Sequence, residues 1–360
     1  MAYRLKVGLV GCGGIALEKH IPALKQLPDV EMVAFCDLIE ERAVRAAREH
    51  GSPNAFSGTD YRDLINNPDI DIIYVLTPNN SHCRITVDAL NSGKHVLCEK
   101  PMAITSAEAK LMLEAANRSG KKLTIGYQNR FRQDCQYLKK ACLRGDLGEI
   151  YYARAHAVRR RAVPTWGVFL DEDKQGGGPL IDIGCHSLDL TLWMMDNYSP
   201  RMVLGTAYKK LAQNGDCGNI FGSWKPENFR VEDAAFGFIV MENGATIYLE
   251  SSWALNTLDV AEAKTSLSGT KAGADMRDGL RISGDEFGKL YVKSPDLSYS
   301  RGVDYYTDVI AQPALLEART WINAIKHDED VCTKPEEALV VTQILEAIYQ
   351  SAQSGQPIFF

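Results

Sequence analysis

Lys100, Asp182 and His186 are the side chains whose types and settings suit the proton handling of an alcohol oxidation. Lys100 stands in Glu99-Lys100-Pro101, just after an apolar run, where open α/β sheets bind their ligands. Asp182 and His186 belong to Gly176-Gly177-Gly178-Pro179-Leu180-Ile181-Asp182-Ile183-Gly184-Cys185-His186. Four residues apart, they occupy one helical turn and can point into one cavity. Upstream of both lies Gly11-Cys12-Gly13-Gly14-Ile15-Ala16, a glycine-rich loop. A nucleotide loop, an ammonium, a carboxylate and an imidazole together point to dehydrogenase chemistry.

The loop has the context that its chemistry requires. The strand Lys6–Val10 precedes it, a helix over Gly14–Leu27 follows, and Asp37 ends the next strand, Glu31–Cys36. Gly11 permits the tight turn, Gly13 lets the backbone approach a pyrophosphate, and Ala16 replaces the third glycine. Phosphates would then meet the helix N-terminus at Gly14 and Ile15. Asp37 can accept from both ribose hydroxyls, and its charge would repel a 2′-phosphate. Leu38 supplies no cation, so NAD is expected and NADP disfavoured. A strand-end aspartate capping the next helix is the structural alternative. The turn Thr77-Pro78-Asn79-Asn80-Ser81-His82 would border the nicotinamide half of the cofactor, with Ser81 otherwise serving as an N-cap. Thr77, Pro78, Asn79, His82, Glu99 and Lys100 complete the cofactor set.

Short apolar runs alternate with amphipathic stretches as far as Tyr127, the βαβ pattern of a doubly wound parallel sheet. Asp71–Leu76, His95–Cys98 and Lys122–Gly126 supply further strands; Glu40–His50, Ser81–Asn91 and Ser106–Ser119 are helices. Strands this uniformly apolar are buried on both faces. This predicts a Rossmann dinucleotide-binding domain over 1–127.

Beyond it, residues 128–360 predict an α+β domain for substrate binding and oligomerisation, built on a large, mainly antiparallel open sheet. Gln133–Arg144 is helical and Glu149–Val158 alternates as a strand. Glu232–Met241 and Ala245–Trp253 flank an Asn243-Gly244 turn, a hairpin signal. Arg281–Ser283 and Lys289–Val292 are shorter strands; Leu315–Lys326 and Pro335–Gln353 are helices. Both faces of the hairpin are apolar: Phe236, Phe238 and Val240 on one, Ile239, Met241, Ile247 and Leu249 on the other. One face then covers helices, and the other meets a second subunit or the chain's own loops.

On the helix Asp182–Met195, the residues Asp182, His186, Asp189 and Trp193 form a polar stripe that faces solvent or lines a cavity. The triple glycine upstream favours the cavity, because it lets a ligand approach the backbone. Tyr127, Arg130, Arg160, Trp166 and Asp189 are candidate substrate residues beside Lys100, Asp182 and His186. Arg160 suits an acidic or phosphorylated sugar, or a surface salt bridge.

At 360 residues the chain exceeds one ordinary core, and two domains are expected. A 45% apolar and 24% charged composition fits a globular protein, and a net charge of −6 argues against nucleic acid as partner. The run Arg159-Arg160-Arg161 suits a solvated edge better than a polyanion site. No apolar run approaches the roughly 18 residues of a membrane span. Met1–Lys6 leads straight into a strand, leaving no room for a signal peptide. Nine cysteines without a C-x-x-C pair fit reduced thiols in a cytoplasmic protein. No metal site is expected.

The glycine loop, Glu99-Lys100-Pro101 and the Gly-Gly-Gly…Asp182…His186…Asp189 run together resemble the Gfo/Idh/MocA oxidoreductases, the glucose–fructose oxidoreductase and inositol dehydrogenase group. The likeness runs over nearly the whole chain, including Ala347–Gly355. It implies that Lys100, Asp182 and His186 form the catalytic set, with every position filled. It also implies an NAD-dependent dehydrogenase acting on a sugar or cyclic polyol, and a homodimer or homotetramer formed through the C-terminal sheet. His186 would take the hydroxyl proton while Lys100 stabilises the developing alkoxide; Asp182 would orient the imidazole or bind a neighbouring hydroxyl. Relatives of this fold suggest a second reading, glycoside hydrolysis or elimination through transient oxidation by bound NAD. A third, a sensor that only reads NAD or sugar, fits poorly with the filled catalytic set and with the absence of a DNA-binding segment.

Overall fold

The computed structural model describes residues 3–297 and 312–360. The chain divides into two units: Met1–Gln128 with Thr307–Leu339, and Asn129–Tyr306 with Val340–Phe360. The first unit thus takes in the segment around the helix Pro313–Lys326, which the sequence reading placed with the second domain.

Apolar runs covered on both faces make the first unit's parallel sheet. Its strands are β1 (Leu5–Val10), β2 (Val30–Cys36), β3 (Phe56–Gly58), β4 (Ile72–Val75), β5 (His95–Cys98) and β6 (Leu123–Ile125). Their order, β3-β2-β1-β4-β5-β6, reverses direction beside β1, which places ligands at the carboxyl ends of β1 and β4. The helices are α1 (a π-helical turn Ala16–His20 continuing as Ile21–Leu24), α2 (Glu40–His50), α3 (Tyr61–Ile65), α4 (His82–Asn91) and α5 (Ser106–Ser119). Leu9, Phe35, Ile72, Tyr74 and Leu97 pack with Trp321 and Ile322 of the helix Pro313–Lys326. Fixing that helix on the sheet is why the late segment belongs here: its apolar face needs this core.

The second unit holds α6 (Gln133–Leu143), β7 (Ile150–Val158), α7 (Glu172–Gln175) and α8 (Cys185–Met195). Its further strands are β8 (Pro200–Tyr208), β9 (Ala234–Met241), β10 (Thr246–Ser252), β11 (Ala261–Gly269), β12 (Ala272–Asp275), β13 (Arg281–Glu286), β14 (Lys289–Lys293) and β15 (Ile358–Phe359). They form one nine-stranded sheet, β14-β13-β12-β11-β7-β10-β9-β8-β15, antiparallel except where β10 runs parallel to β7. Ile239, Met241, Ile247 and Leu249 are fully buried on the face that carries helices. Phe238 on the opposite face is 44% exposed, so the hairpin's second apolar set is not covered by the chain's own described loops. The helix Pro335–Ser354 lies on β8 and β9 through two glycines. A Cβ at Gly205 would come within 2.6 Å of the Ile348 carbonyl oxygen, and one at Gly237 within 2.5 Å of Ile348 Cδ1.

Candidate active site

Gly11 takes φ +99°, and a Cβ there would overlap the Leu76 carbonyl. Only glycine lets β1 turn this close to the end of β4. At Gly13 a Cβ would meet nothing within 4 Å, so the loop borders open space where a ligand's phosphates can approach the backbone. Gly14 and Ile15 are exposed, and α1 starts here, with its free N–H groups favouring an anion. The Asp37 carboxylate is held by two backbone donors, Cys12 N at 2.8 Å to Oδ2 and Ile39 N at 2.9 Å to Oδ1. Asp37 does not cap α2, whose N-cap is Ile39; it holds the turn before that helix and leaves a half-exposed carboxylate at the glycine loop. Burial, followed by the Asp37 charge, pushes the Cys12 thiol up to about 12, so the loop carries no thiolate. These residues fit a dinucleotide.

Thr77 is half-exposed, Pro78 exposed and Asn79 buried. Ser81 does not cap α4 through its side chain; its hydroxyl donates to the Pro78 carbonyl at 2.8 Å and lies 2.6 Å from Thr77 Oγ1. His82, expected at the cofactor, is fully buried. Its Nε2 lies 2.8 Å from the Thr77 carbonyl and its Nδ1 2.8 Å from the Pro101 carbonyl, so it ties the β4 and β5 turns together. Burial pushes its pKa down against the pull of both carbonyls. Lys100 is half-exposed at the end of β5, while Glu99 turns inward. The Glu99 carboxylate lies within the fold, taken up by Lys19, His20 and Lys100 N, and so does not stand as a cofactor ligand.

In the second unit a π-helical turn, Leu180–Gly184, leads into α8 and carries Asp182. Such turns concentrate at functional sites because they re-aim side chains. Asp182 and His186 are both half-exposed. Trp253, fully buried at the end of β10, donates its Nε1–H to Asp182 Oδ2 at 3.1 Å. The triple glycine does not serve ligand approach. A Cβ at Gly177 would overlap the Tyr349 hydroxyl, and one at Gly178 the Glu232 carbonyl. The half-buried Glu232 carboxylate accepts from Gly178 N at 2.8 Å, Leu180 N at 3.0 Å and the Tyr349 hydroxyl at 2.8 Å. These glycines dock the chain on its own capping carboxylate.

The polar stripe of α8 divides. Asp189 and Trp193 are buried, and Arg130 pairs with Asp189 at 2.6 Å while stacking on the Trp193 ring at 5.4 Å. Arg130 and Asp189, expected in the substrate pocket, thus form an internal brace. Tyr127 is likewise fully buried. Arg160 is exposed, and the ion pair expected of it is made by its neighbour: Arg159 Nε and Nη2 lie 2.5 and 2.6 Å from the Glu262 carboxylate. Burial opposes the Arg159 charge, but Glu262, with Asp182 adding to it, holds the guanidinium firmly protonated. The basic run is therefore not simply a solvated edge. Trp166, 52% exposed, meets Phe169 and Phe221 edge-on at 5.7 and 4.7 Å, and Phe169 meets Trp253 at 6.4 Å. A chain of rings joins an exposed indole to the tryptophan that holds Asp182.

Trp253, Arg159, Glu262 and Glu232 carry this arrangement without a local signal in the sequence. One more feature escaped it: Ala263 sits at φ +51° in a bulge of β11, its carbonyl held by Arg132 Nη1 at 2.8 Å. Among the described residues no group of three or more His, Cys, Asp or Glu could hold a metal ion, and no helix is long and apolar enough to cross a membrane.

Two family models match the chain. Residues 5–127 match the oxidoreductase family with an NAD-binding Rossmann fold, and residues 139–360 match that family's C-terminal alpha/beta domain. The chain belongs to the Gfo/Idh/MocA oxidoreductase family. Its Rossmann domain is NAD-binding, in keeping with the open cradle at Gly13 and the fixed Asp37. The D-glucoside 3-dehydrogenase of Escherichia coli (strain K12) is 33% identical over 356 residues, which cover 98% of this chain and 96% of the relative. Among solved structures, the aldose-aldose oxidoreductase of Caulobacter crescentus superposes with a TM-score of 0.79 at 24% identity, over 99% of this chain and 100% of that one. A levoglucosan dehydrogenase, in complex with NADH and levoglucosan, gives 0.82 at 22% identity, with 99% of each chain covered.

Proposed function

We propose that this protein oxidises the C3 hydroxyl of a glucoside, with NAD as the hydride acceptor. The likeness to the Escherichia coli D-glucoside 3-dehydrogenase over 98% of the chain carries this reading. Bound NAD supplies the carbon that takes the hydride. Gly11, Gly13, Gly14 and Ile15 would hold its phosphates and Asp37 its ribose hydroxyls, and Thr77, Pro78 and Asn79 would border its nicotinamide half. His186 takes the hydroxyl proton; a base with an intrinsic pKa near working pH contributes about 10²–10⁴-fold. Lys100 donates to the same oxygen and stabilises its developing charge. Asp182, held by Trp253, orients the imidazole or binds the neighbouring hydroxyl. Trp166 offers an exposed ring face to the sugar or its aglycone.

The test is a substrate panel of methyl glucoside, glucose and inositol, read by NADH absorbance with the product identified by NMR. A 3-keto glucoside is expected; turnover confined to inositol overturns the assignment. Glucoside cleavage without added NAD or net NADH would point to transient oxidation instead. Lys100→Ala and His186→Ala should bind NAD normally and lose turnover.

The same reading extends to assembly and location. The exposed sheet face, with Leu204 45%, Tyr208 41% and Phe238 44% exposed, meets a second copy in a homodimer or homotetramer. Light scattering that gives a monomer mass would exclude it. All nine cysteines are free thiols, which suits a cytoplasmic enzyme.

A further inference from the structure

Charged side chains seldom lie in a protein interior unless they are paired, and the first unit buries four ionisable groups together. Lys19 and His20 come from the π-helical turn after the glycine loop, Glu99 from the end of β5, and Glu317 from the helix Pro313–Lys326. Their exposures are 7, 3, 6 and 4%. Lys19 Nζ lies 2.6 Å from Glu99 Oε1 and 2.9 Å from Glu317 Oε2. His20 Nε2 lies 2.7 Å from the same Glu99 oxygen, and its ring meets Tyr74 edge-on at 5.4 Å.

Protonation states follow from these contacts. Burial and the Lys19 ammonium push the His20 pKa down, so its neutral ring donates Nε2–H to Glu99. Burial alone would raise the Glu99 pKa, but Lys19 and the His20 hydrogen bond hold it well below the usual carboxylate range. Two carboxylates thus share one ammonium, an arrangement that replacement by apolar residues would often match in stability. What sets it apart is where it ends. Glu99 Oε2 accepts the Lys100 backbone N–H at 3.0 Å. Gly126 allows the carboxylate this position, since a Cβ there would stand 2.9 Å from Oε1.

We propose that Lys19 and Glu317 are positioning residues for Lys100, acting through Glu99. Glu317 fixes the Lys19 ammonium, Lys19 and His20 fix the Glu99 carboxylate, and Glu99 fixes the Lys100 main chain. The helix that receives the nucleotide phosphates and the turn that presents the catalytic ammonium are then one rigid piece. A helix more than two hundred residues along the chain locks it. The proposal rests on the role assigned above to Lys100, and its test separates the two.

The test uses the full-length protein and Glu317→Gln, which removes the charge and keeps the shape. In the protein without cofactor, Lys100 acetylation is followed by peptide mass spectrometry against exposed Lys209. With cofactor, the NAD dissociation constant, kcat and KM are measured, and thermal unfolding controls for stability. Glu317→Gln should change the relative Lys100 labelling rate by about threefold or more. It should also lower kcat by about tenfold or more, as small misplacements of a reacting group do. NAD affinity should stay within about threefold, and Glu317→Asp should restore part of the loss.

A lower Tm with unchanged labelling and kcat makes the cluster a structural strut and overturns the proposal. So does weaker NAD binding with unchanged labelling. Altered labelling with unchanged kcat upholds the positioning and removes Lys100 from the chemistry instead. If Glu317→Gln does not fold, Lys19→Arg, which keeps the charge and moves the donor, decides by the same readouts.

Discussion

Arg130 and Asp189 close on each other inside the second unit, with Nη2 2.6 Å from Oδ1 and Nε 3.0 Å from Oδ2. Their exposures are 0 and 1%, and the indole of Trp193 lies against the guanidinium. The pair anchors α8, which carries His186, and with it the turn that carries Asp182, to the segment before α6. Removing one partner leaves a buried charge uncompensated. Arg130→Met or Asp189→Leu should each cost about 3–5 kcal/mol in thermal or denaturant unfolding. The double variant should recover most of that loss, because no lone charge remains. Additive losses would show that the two side chains are not coupled.

Gly11 and Gly13 separate backbone need from ligand need. Gly11→Ala forces a Cβ onto the Leu76 carbonyl at φ +99°, so it should lower Tm and weaken NAD binding together. Gly13→Ala adds a methyl in open space, so its Tm should match the parent within about 1 °C. Its NAD affinity, measured by titration calorimetry, should fall at least about tenfold, because the methyl occupies the pyrophosphate's approach. Unchanged affinity in Gly13→Ala would remove this loop from the cofactor site.

The first sheet was legible because burial on both faces leaves continuous apolar runs, as in Ile72–Val75 and His95–Cys98. Edge strand β3, only three residues long, leaves no such trace. Strand β12, Ala-Gly-Ala-Asp, has too little side chain to show a period, and β11 loses its alternation at the Ala263 bulge. In the site, Asp182 and His186 announced themselves by spacing, whereas their supports did not. Trp253 reaches Asp182, and Glu232 the backbone at Gly178 and Leu180, from distant parts of the chain, a relation that local sequence does not encode. Lys19, His20 and Glu317 read as polar faces of amphipathic helices, because charged residues at helical spacing usually meet solvent. The triple glycine misled in the same way: it makes room for Glu232 and Tyr349, groups distant in the chain.

Asp37 holds a turn and is proposed to receive the ribose, and one substitution should test both. Its carboxylate accepts from Cys12 N and Ile39 N, bonds worth about 1 kcal/mol each. Asp37→Ala should therefore lower stability by about 1–2 kcal/mol. The same change removes the charge that repels a 2′-phosphate, so the ratio of NADP to NAD dissociation constants should fall by about tenfold or more. A loss of stability without a change in this ratio would leave Asp37 as a turn residue only.

His95 predicts how the first unit responds to acid. Burial, followed by the charges of Lys121 and Lys122, pushes its pKa down to about 4, and its Nδ1 accepts from Lys122 N at 3.1 Å. Protonating Nδ1 would break that bond. The unfolded ring titrates near about 6.5, so between about 6.5 and 4 the unfolded chain binds more protons than the folded one. The stability contributed by the neutral ring is complete above that window and is lost as pH falls through it. Because His95 is partly solvated, the slope should be at most about 1 kcal/mol per pH unit. His20, lowered by burial and Lys19, acts in the same direction. Unfolding curves for the parent and His95→Asn, whose Oδ1 can still accept from Lys122 N without titrating, should diverge as pH drops from 7 to 5. The variant should have the flatter profile. Parallel profiles would mean that this imidazole is not neutral in the fold.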